Sequence, residues 1–284
     1  MTLKRAAILL HGLSGTSEDL LPVQQVLRTA GFTVVTPLVP GYSYDPAPAA
    51  SGSASTESPS WQWTQWVADI QARIALLRNT HDQVCVVGIS CGAVLALASA
   101  LASEGHPPAA PDAMVLMSTA LRLDGWEVPS WQRWLPWALN TPLGRWWLLP
   151  QQATYSAKNE RIREWLKLER DKRPPLANAH GTWLPPLREQ ARMSRFVQQH
   201  LSQLACNQVL ALHAMQDNTA SPANVKLLEK ALGSTGLRSR LFSNSYHMMS
   251  IDNDRLEVAH ETVAFLLGRE PAALAADATH STPR

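Results

Sequence analysis

Gly88-Ile89-Ser90-Cys91-Gly92 places a serine between two glycines, each two residues away. An apolar run, Gln83 to Gly88, precedes it, and a small-residue Ala/Leu-rich stretch, Cys91 to Ala102, follows. A strand, a tight turn and a helix in that order hold the central serine in a strained conformation at a helix amino terminus, whose dipole favours developing negative charge. The flanking glycines remove side chains that would collide across the turn. The chemistry such a serine serves is nucleophilic attack on an acyl carbon. The plainer alternative is a glycine turn with an inert serine.

That attack needs three further contributions: hydrogen-bond donors for the oxyanion, a base, and an acid that orients the base. His11-Gly12-Leu13-Ser14-Gly15 ends the first apolar run, and its glycines let the backbone approach a substrate closely. The backbone N–H groups of Leu13 and of Cys91 are the candidate oxyanion donors. Among the histidines after Ser90, His106 and His180 fall in Pro/Gly-rich loops and His200 in a helical stretch. His213 precedes the best acid, His260 lies inside the last helix, and His280 lies in the tail. His247 remains, in a loop between a strand and the last helix. Asp217, four residues past His213 at a strand end, is the acid candidate. Taken singly, Asp217 reads as a turn or cap residue and His247 as a loop histidine.

The elements that must position these groups follow from the apolar pattern. Leu3–Leu10, Phe32–Thr36, Gln83–Gly88, Ala113–Ser118, Gln208–His213 and Leu237–Phe242 read as strands. Ser17–Ala30, Trp61–Arg78, Cys91–Ala102, Pro222–Leu232 and Asp254–Leu267 read as helices. The strands are apolar runs and not alternating ones, which predicts an α/β fold with a mostly parallel sheet covered on both faces. Residues 45–60, rich in Pro, Ala, Ser and Gly, read as a flexible surface loop. The rhythm breaks between about Leu121 and Asn207, where eight of the 11 Trp lie: Trp126, Trp131, Trp134, Trp137, Trp146, Trp147, Trp165 and Trp183. The expected organisation is a discontinuous core, 1–120 and 208–268, a Trp-rich helical cap insertion, 121–207, and a flexible tail, 269–284.

Composition narrows the function classes. With 284 residues, 45% hydrophobic and 17% charged, the chain can bury a sizeable core. Its 25 Lys+Arg against 23 Asp+Glu give a net charge of +2, too balanced for a dedicated nucleic-acid binder. Three cysteines are too few for a disulfide framework, and no paired His/Cys spacing suggests a structural zinc site. No apolar stretch has the length of a secretory core or a membrane span, so a cytoplasmic protein is expected.

The chain resembles the α/β-hydrolase superfamily, and within it the bacterial carboxylesterase and monoacylglycerol lipase group. The resemblance is carried by His11 to Asp19, by Gly88 to Gly92, by Asp217, and by Ser245-Tyr246-His247-Met248-Met249-Ser250-Ile251-Asp252 with its Asp five residues after the His. It covers about residues 3–120 and 205–267. There are two departures. Pro40-Gly41-Tyr42-Ser43 stands where the family often has Gly-His-Gly, and Ala93 stands where it usually has a second glycine.

The resemblance implies a serine carboxylester hydrolase with a Ser90–His247–Asp217 triad and an oxyanion hole of Leu13 and Cys91 N–H. It implies no metal or organic cofactor. The expected partner is a small apolar acyl ester, with no nucleic acid and no stable membrane insertion. The insertion is placed to cap Ser90, its tryptophans either lining an acyl groove or forming the cap's own core. Lys158 to Arg173, with 7 basic and 4 acidic residues, reads as a solvated cap helix; transient contact with an anionic membrane surface or an acidic carrier is the alternative. The competing functions are a thioesterase or acyltransferase using the same triad, and non-catalytic binding of an apolar ligand.

Overall fold

The computed structural model describes residues 3–43, 62–101, 110–129, 156–172 and 184–269. The expected loop at 45–60, six of the eight insertion tryptophans and all of the expected tail except Arg269 lie outside the described residues.

Among the described residues six strands form one sheet: β1 Arg5–Leu10, β2 Phe32–Val35, β3 Gln83–Ile89, β4 Ala113–Met117, β5 Val209–Ala214 and β6 Leu237–Phe242. Their order is β2-β1-β3-β4-β5-β6 and every neighbouring pair is parallel. Parallel neighbours need crossovers, and helices supply them. These are α1 Leu21–Thr29, α2 Trp63–Arg78, α3 Cys91–Ser99, α4 Glu160–Lys172, α5 Leu184–His200, α6 Ala223–Gly236 and α7 Arg255–Leu266. The strand and helix cores match the sequence expectation, with ends shifted by a few residues. Helix α6 runs past the expected Leu232, but Gly233 there has φ 69 and breaks the helical path.

Burial on both sheet faces explains why the strands are apolar throughout. Residues Ile8, Leu10, Val84, Val86, Met114 and Leu116 face one way and pack with α2, α3, α5 and α6. Their chain neighbours Ala7, Leu9, Cys85, Val87, Val115 and Met117 face the other way, against α1 and α7. Each strand thus feeds two cores through the two-residue alternation of a pleat.

Helix α5 carries a result that the sequence did not indicate. Met193 and Val197 from α5, with Leu201 just after it, join the same buried cluster as Ile70 of α2 and Leu95 of α3. The carboxyl end of the expected 121–207 insertion therefore belongs to the β4-to-β5 crossover and packs against α2 and α3. Its polar composition, Leu-Pro-Pro-Leu-Arg-Glu-Gln-Ala-Arg, hides that role.

The order in which strands are added reverses between β1 and β3, where the chain leaves β1 toward β2 on one side and β3 extends toward β4 on the other. Clefts outside the carboxyl ends of strands at such a reversal are the usual ligand sites of open α/β sheets. Register brings Leu10 beside Gly88 and Ile89 beside Met117. The loop after β1 and the turn after β3 are therefore neighbours by construction.

Candidate active site

Ser90 lies between β3 and α3 with φ 57 and ψ −122, a left-handed conformation that costs a non-glycine residue on the order of 1–3 kcal/mol. Neighbouring chain holds it there. Its N–H donates to Met117 O at 2.9 Å, and its carbonyl accepts from Ala93 N at 3.2 Å and Ala120 N at 3.3 Å. The two glycines are steric requirements. A Cβ on Gly88 would stand 2.5 Å from Gly92 O, and one on Gly92 would stand 2.2 Å from Leu10 O and 2.3 Å from His11 O.

The groups expected to work with Ser90 converge on it. His247 Nε2 lies 2.7 Å from Ser90 Oγ, although 157 residues separate them in sequence. His247 Nδ1 lies 2.9 Å from Asp217 Oδ2 and 3.0 Å from Oδ1. A neutral imidazole carrying its proton on Nδ1 satisfies both contacts: it donates to the carboxylate and accepts from the serine hydroxyl. Both His247 and Asp217 are buried.

Asp217 is held as the carboxylate. Burial acts to raise its pKa, but the His247 imidazole facing it, the neighbouring His213 and the Ala220 N–H outweigh burial and leave it below its ordinary value. Thr219 N and Ala220 N donate to Oδ1 at 2.9 Å and 2.8 Å. His213, set aside as a base because it precedes the acid, has a different place. Its Nε2 donates to Ala220 O at 2.8 Å and lies 3.4 Å from Asp217 Oδ2. Burial pushes its pKa below the ordinary histidine value, so the ring is neutral behind the acid. Its four-residue lead over Asp217 across a strand end was the sequence signal for this contact.

The histidine loop is suspended from another carboxylate. Asp252, fully buried, accepts four backbone N–H bonds: Lys158 at 2.6 Å, and Asn159, Tyr246 and Asn253 each at 2.9 Å. Met248 N donates to Ser156 O at 2.8 Å. The chain entering α4 is thereby tied to the loop that carries His247. On the acid side, Asn218 Nδ2 donates to Glu127 Oε2 at 2.6 Å and its Oδ1 accepts from His247 N at 3.4 Å. Trp126 Nε1 donates to Gln216 O at 3.2 Å, and its ring meets Tyr246 edge-on at 5.8 Å.

On the other side of Ser90 the loop after β1 approaches the turn. The nearest atoms to a Cβ built on Gly12 are Ser90 Cβ and Oγ, at 3.7 Å and 3.9 Å. Burial raises the pKa of the Cys91 thiol, and the adjoining N–H groups of Leu13 and Cys91 partly offset that rise. A protonated thiol is a poor nucleophile. Among the described residues no three His, Cys, Asp or Glu side chains are grouped to hold a metal ion. No helix among them is long and apolar enough to cross a membrane.

Comparison with known proteins agrees with the fold. A thermostable monoacylglycerol lipase from Bacillus sp. (strain H-257) is 23% identical over 266 residues, covering 91% of this chain and 88% of the relative. A structure reported with the metagenome-derived lipolytic enzymes LipS and LipT superposes with a TM-score of 0.69 at 22% identity, covering 94% of this chain and 95% of that one. The monoacylglycerol lipase of Paleococcus ferrophilus gives 0.66 at 16% identity, covering 93% and 95%. The family model for Hydrolase_4, described as serine aminopeptidase, S33, matches residues 2–254. With a match of that extent over a parallel sheet bearing a serine elbow, this chain belongs to the Hydrolase_4 family of α/β hydrolases.

Proposed function

We propose that this carboxylic ester hydrolase cleaves apolar acyl esters, monoacylglycerols among them, through an acyl-enzyme on Ser90. The observation that carries the reading is the unbroken hydrogen-bonded chain from Ser90 Oγ through His247 to Asp217, at 2.7 Å and 2.9 Å. In the first half-reaction His247 Nε2 takes the Ser90 proton as Oγ bonds to the ester carbonyl carbon. The carbonyl oxygen gains charge and is received by the N–H groups of Leu13 and Cys91. His247 returns the proton to the departing alcohol. In the second half-reaction His247 deprotonates water, which displaces the acyl group and leaves the serine free. Asp217, ionised and fixed by backbone N–H groups, keeps the His247 proton on Nδ1 and stabilises the imidazolium.

The apolar preference is supported by monoacylglycerol lipases among the proteins this chain resembles. The stretch between Leu121 and α5, with Trp126 and Trp165 among its residues, is the proposed cap that shields the acyl-enzyme from bulk water. The setting proposed is cytoplasmic, with a small ester as partner.

The test is hydrolysis of p-nitrophenyl esters from acetyl to palmitoyl, with fluorophosphonate labelling alongside. Turnover with one preferred chain length, lost by several orders of magnitude in Ser90→Ala together with the label, is the expected result. A wild-type chain inactive across the series sinks the ester reading. If that chain turns over acyl-thioesters, the thioesterase takes its place.

A further inference from the structure

The turn after β2 departs from the family's usual Gly-His-Gly at Tyr42 and Ser43, and both residues reach the loop that carries Leu13. Tyr42 is buried, with its hydroxyl donating to His11 O at 2.8 Å. Its carbonyl accepts from Ser14 N at 2.8 Å. The ring stacks on His11 at 5.6 Å and is fixed edge-on against Trp66 at 5.2 Å. Ser43 Oγ lies 2.8 Å from His11 Nε2 and accepts Val39 N–H at 2.9 Å.

His11 passes this restraint on. Its Nδ1 lies 2.7 Å from Gly12 O, which also accepts Gly15 N–H at 2.9 Å. A carbonyl only accepts, so Nδ1 holds a proton that it donates to Gly12 O, while Nε2 bonds with the Ser43 hydroxyl. Gly12 O belongs to the same planar trans peptide as Leu13 N–H, and the two point in opposite directions. Fixing the oxygen aims the N–H. Ser14, next in the chain, sits at φ 57, a conformation that a serine keeps only under such external restraint.

We propose that Tyr42 and Ser43 are positioning residues for the oxyanion hole, setting the tilt of the Gly12–Leu13 peptide from outside the site. The proposal rests on the serine-hydrolase reading above. It adds that the donor direction is held through His11 by the turn after β2, and not only by the elbow. Neither residue touches the Ser90–His247–Asp217 chain, so both act on transition-state stabilisation and leave the proton transfers alone.

The experiment uses the full chain with Tyr42→Phe, Ser43→Ala and Ser43→Thr, and the best p-nitrophenyl ester of the series. Losing one oxyanion donor outright costs on the order of 100- to 1000-fold in kcat; a misaimed donor should cost about tenfold. Tyr42→Phe and Ser43→Ala should each lower kcat about tenfold with KM within about twofold. Fluorophosphonate labelling of Ser90 should slow in the same proportion, and the pH profile should keep its shape. Ser43→Thr, which retains the hydroxyl, should recover most of the loss. The proposal is overturned if Tyr42→Phe and Ser43→Ala both keep kcat within twofold of wild type, if the loss falls on KM alone, or if a lower unfolding midpoint comes with unchanged kcat. Tyr42→Phe removes a single oxygen from a packed ring and keeps the test open where Ser43→Ala folds poorly. A wild-type chain that neither turns over nor labels sinks the parent reading; a wild-type chain that does both, with unaffected variants, sinks this proposal alone.

Discussion

The elbow and the loops that face it are held by different forces. Ser90 is fixed by close backbone packing. Gly88 and Gly92 let β3, α3 and the end of β1 approach so tightly that one methyl group has no room. His247 and Asp217 are held by hydrogen bonds to side-chain oxygens, with Asp252 alone collecting four N–H groups. Packing of the first kind fails abruptly, because backbone atoms have nowhere to go. A polar suspension fails by degrees, one bond at a time. Ser90 is therefore the rigid partner in the site, and His247 and Asp217 are the adjustable ones.

This contrast should survive three substitutions, of decreasing effect. Gly92→Ala forces a Cβ into Leu10 O and His11 O. It should cost about 3 kcal/mol, seen as an unfolding midpoint lower by roughly 6–12 °C, and more than 100-fold in turnover because the Leu13 loop is pushed aside. A near-normal Gly92→Ala enzyme would break the comparison. Asp252→Asn turns an amide NH2 toward two backbone N–H groups that now meet a carboxylate oxygen. A loss of about 2 kcal/mol and a roughly tenfold fall in kcat are expected, with Ser90 still labelled. Equilibrium unfolding and labelling kinetics together would sharpen the distinction between a loosened base and a broken elbow.

The smallest effect is one of pH. His213 is neutral in the fold with its pKa held below 6.5. As pH falls below that value the unfolded chain takes up a proton that the folded chain refuses, so stability drops until the lowered folded value is reached. Asp217, depressed in the fold, adds a second loss only below its ordinary value of 3.8. His213→Gln has no proton to take up, so its unfolding midpoint between pH 7 and 5 should fall less than that of wild type. Parallel slopes for the two proteins would remove His213 as the source.

What the sequence made legible follows the same division. The elbow is local: two glycines, a serine and the apolar and small-residue runs on either side define it within 20 residues, and the structure reproduces it. Asp217 and His247 were found by chain order and by their places after strands, and they meet Ser90 as expected. The contacts that support them were not legible. Tyr42 reaches His11 O and Asp252 reaches the Lys158 and Asn159 N–H groups. Those partners are backbone atoms, which every residue carries, so no residue type marks them. The core role of helix α5 went unrecognised for a related reason. Met193 and Val197 face inward beside the buried polar residues Glu189, Gln190 and Ser194, so no clean apolar stripe marks the inner face.

The separation of 157 residues between Ser90 and His247 also has a meaning in time. Helix α3 and the strands beside it draw on the first 120 residues, while the imidazole arrives with β6 and the loop beyond it. Contacts this distant in sequence close late, since the chain loses loop entropy before it gains them. Turnover is therefore a clock for the last step of folding. During refolding, recovered helicity should lead and recovered catalysis should follow, the delay measuring how long the carboxyl-terminal strands take to dock.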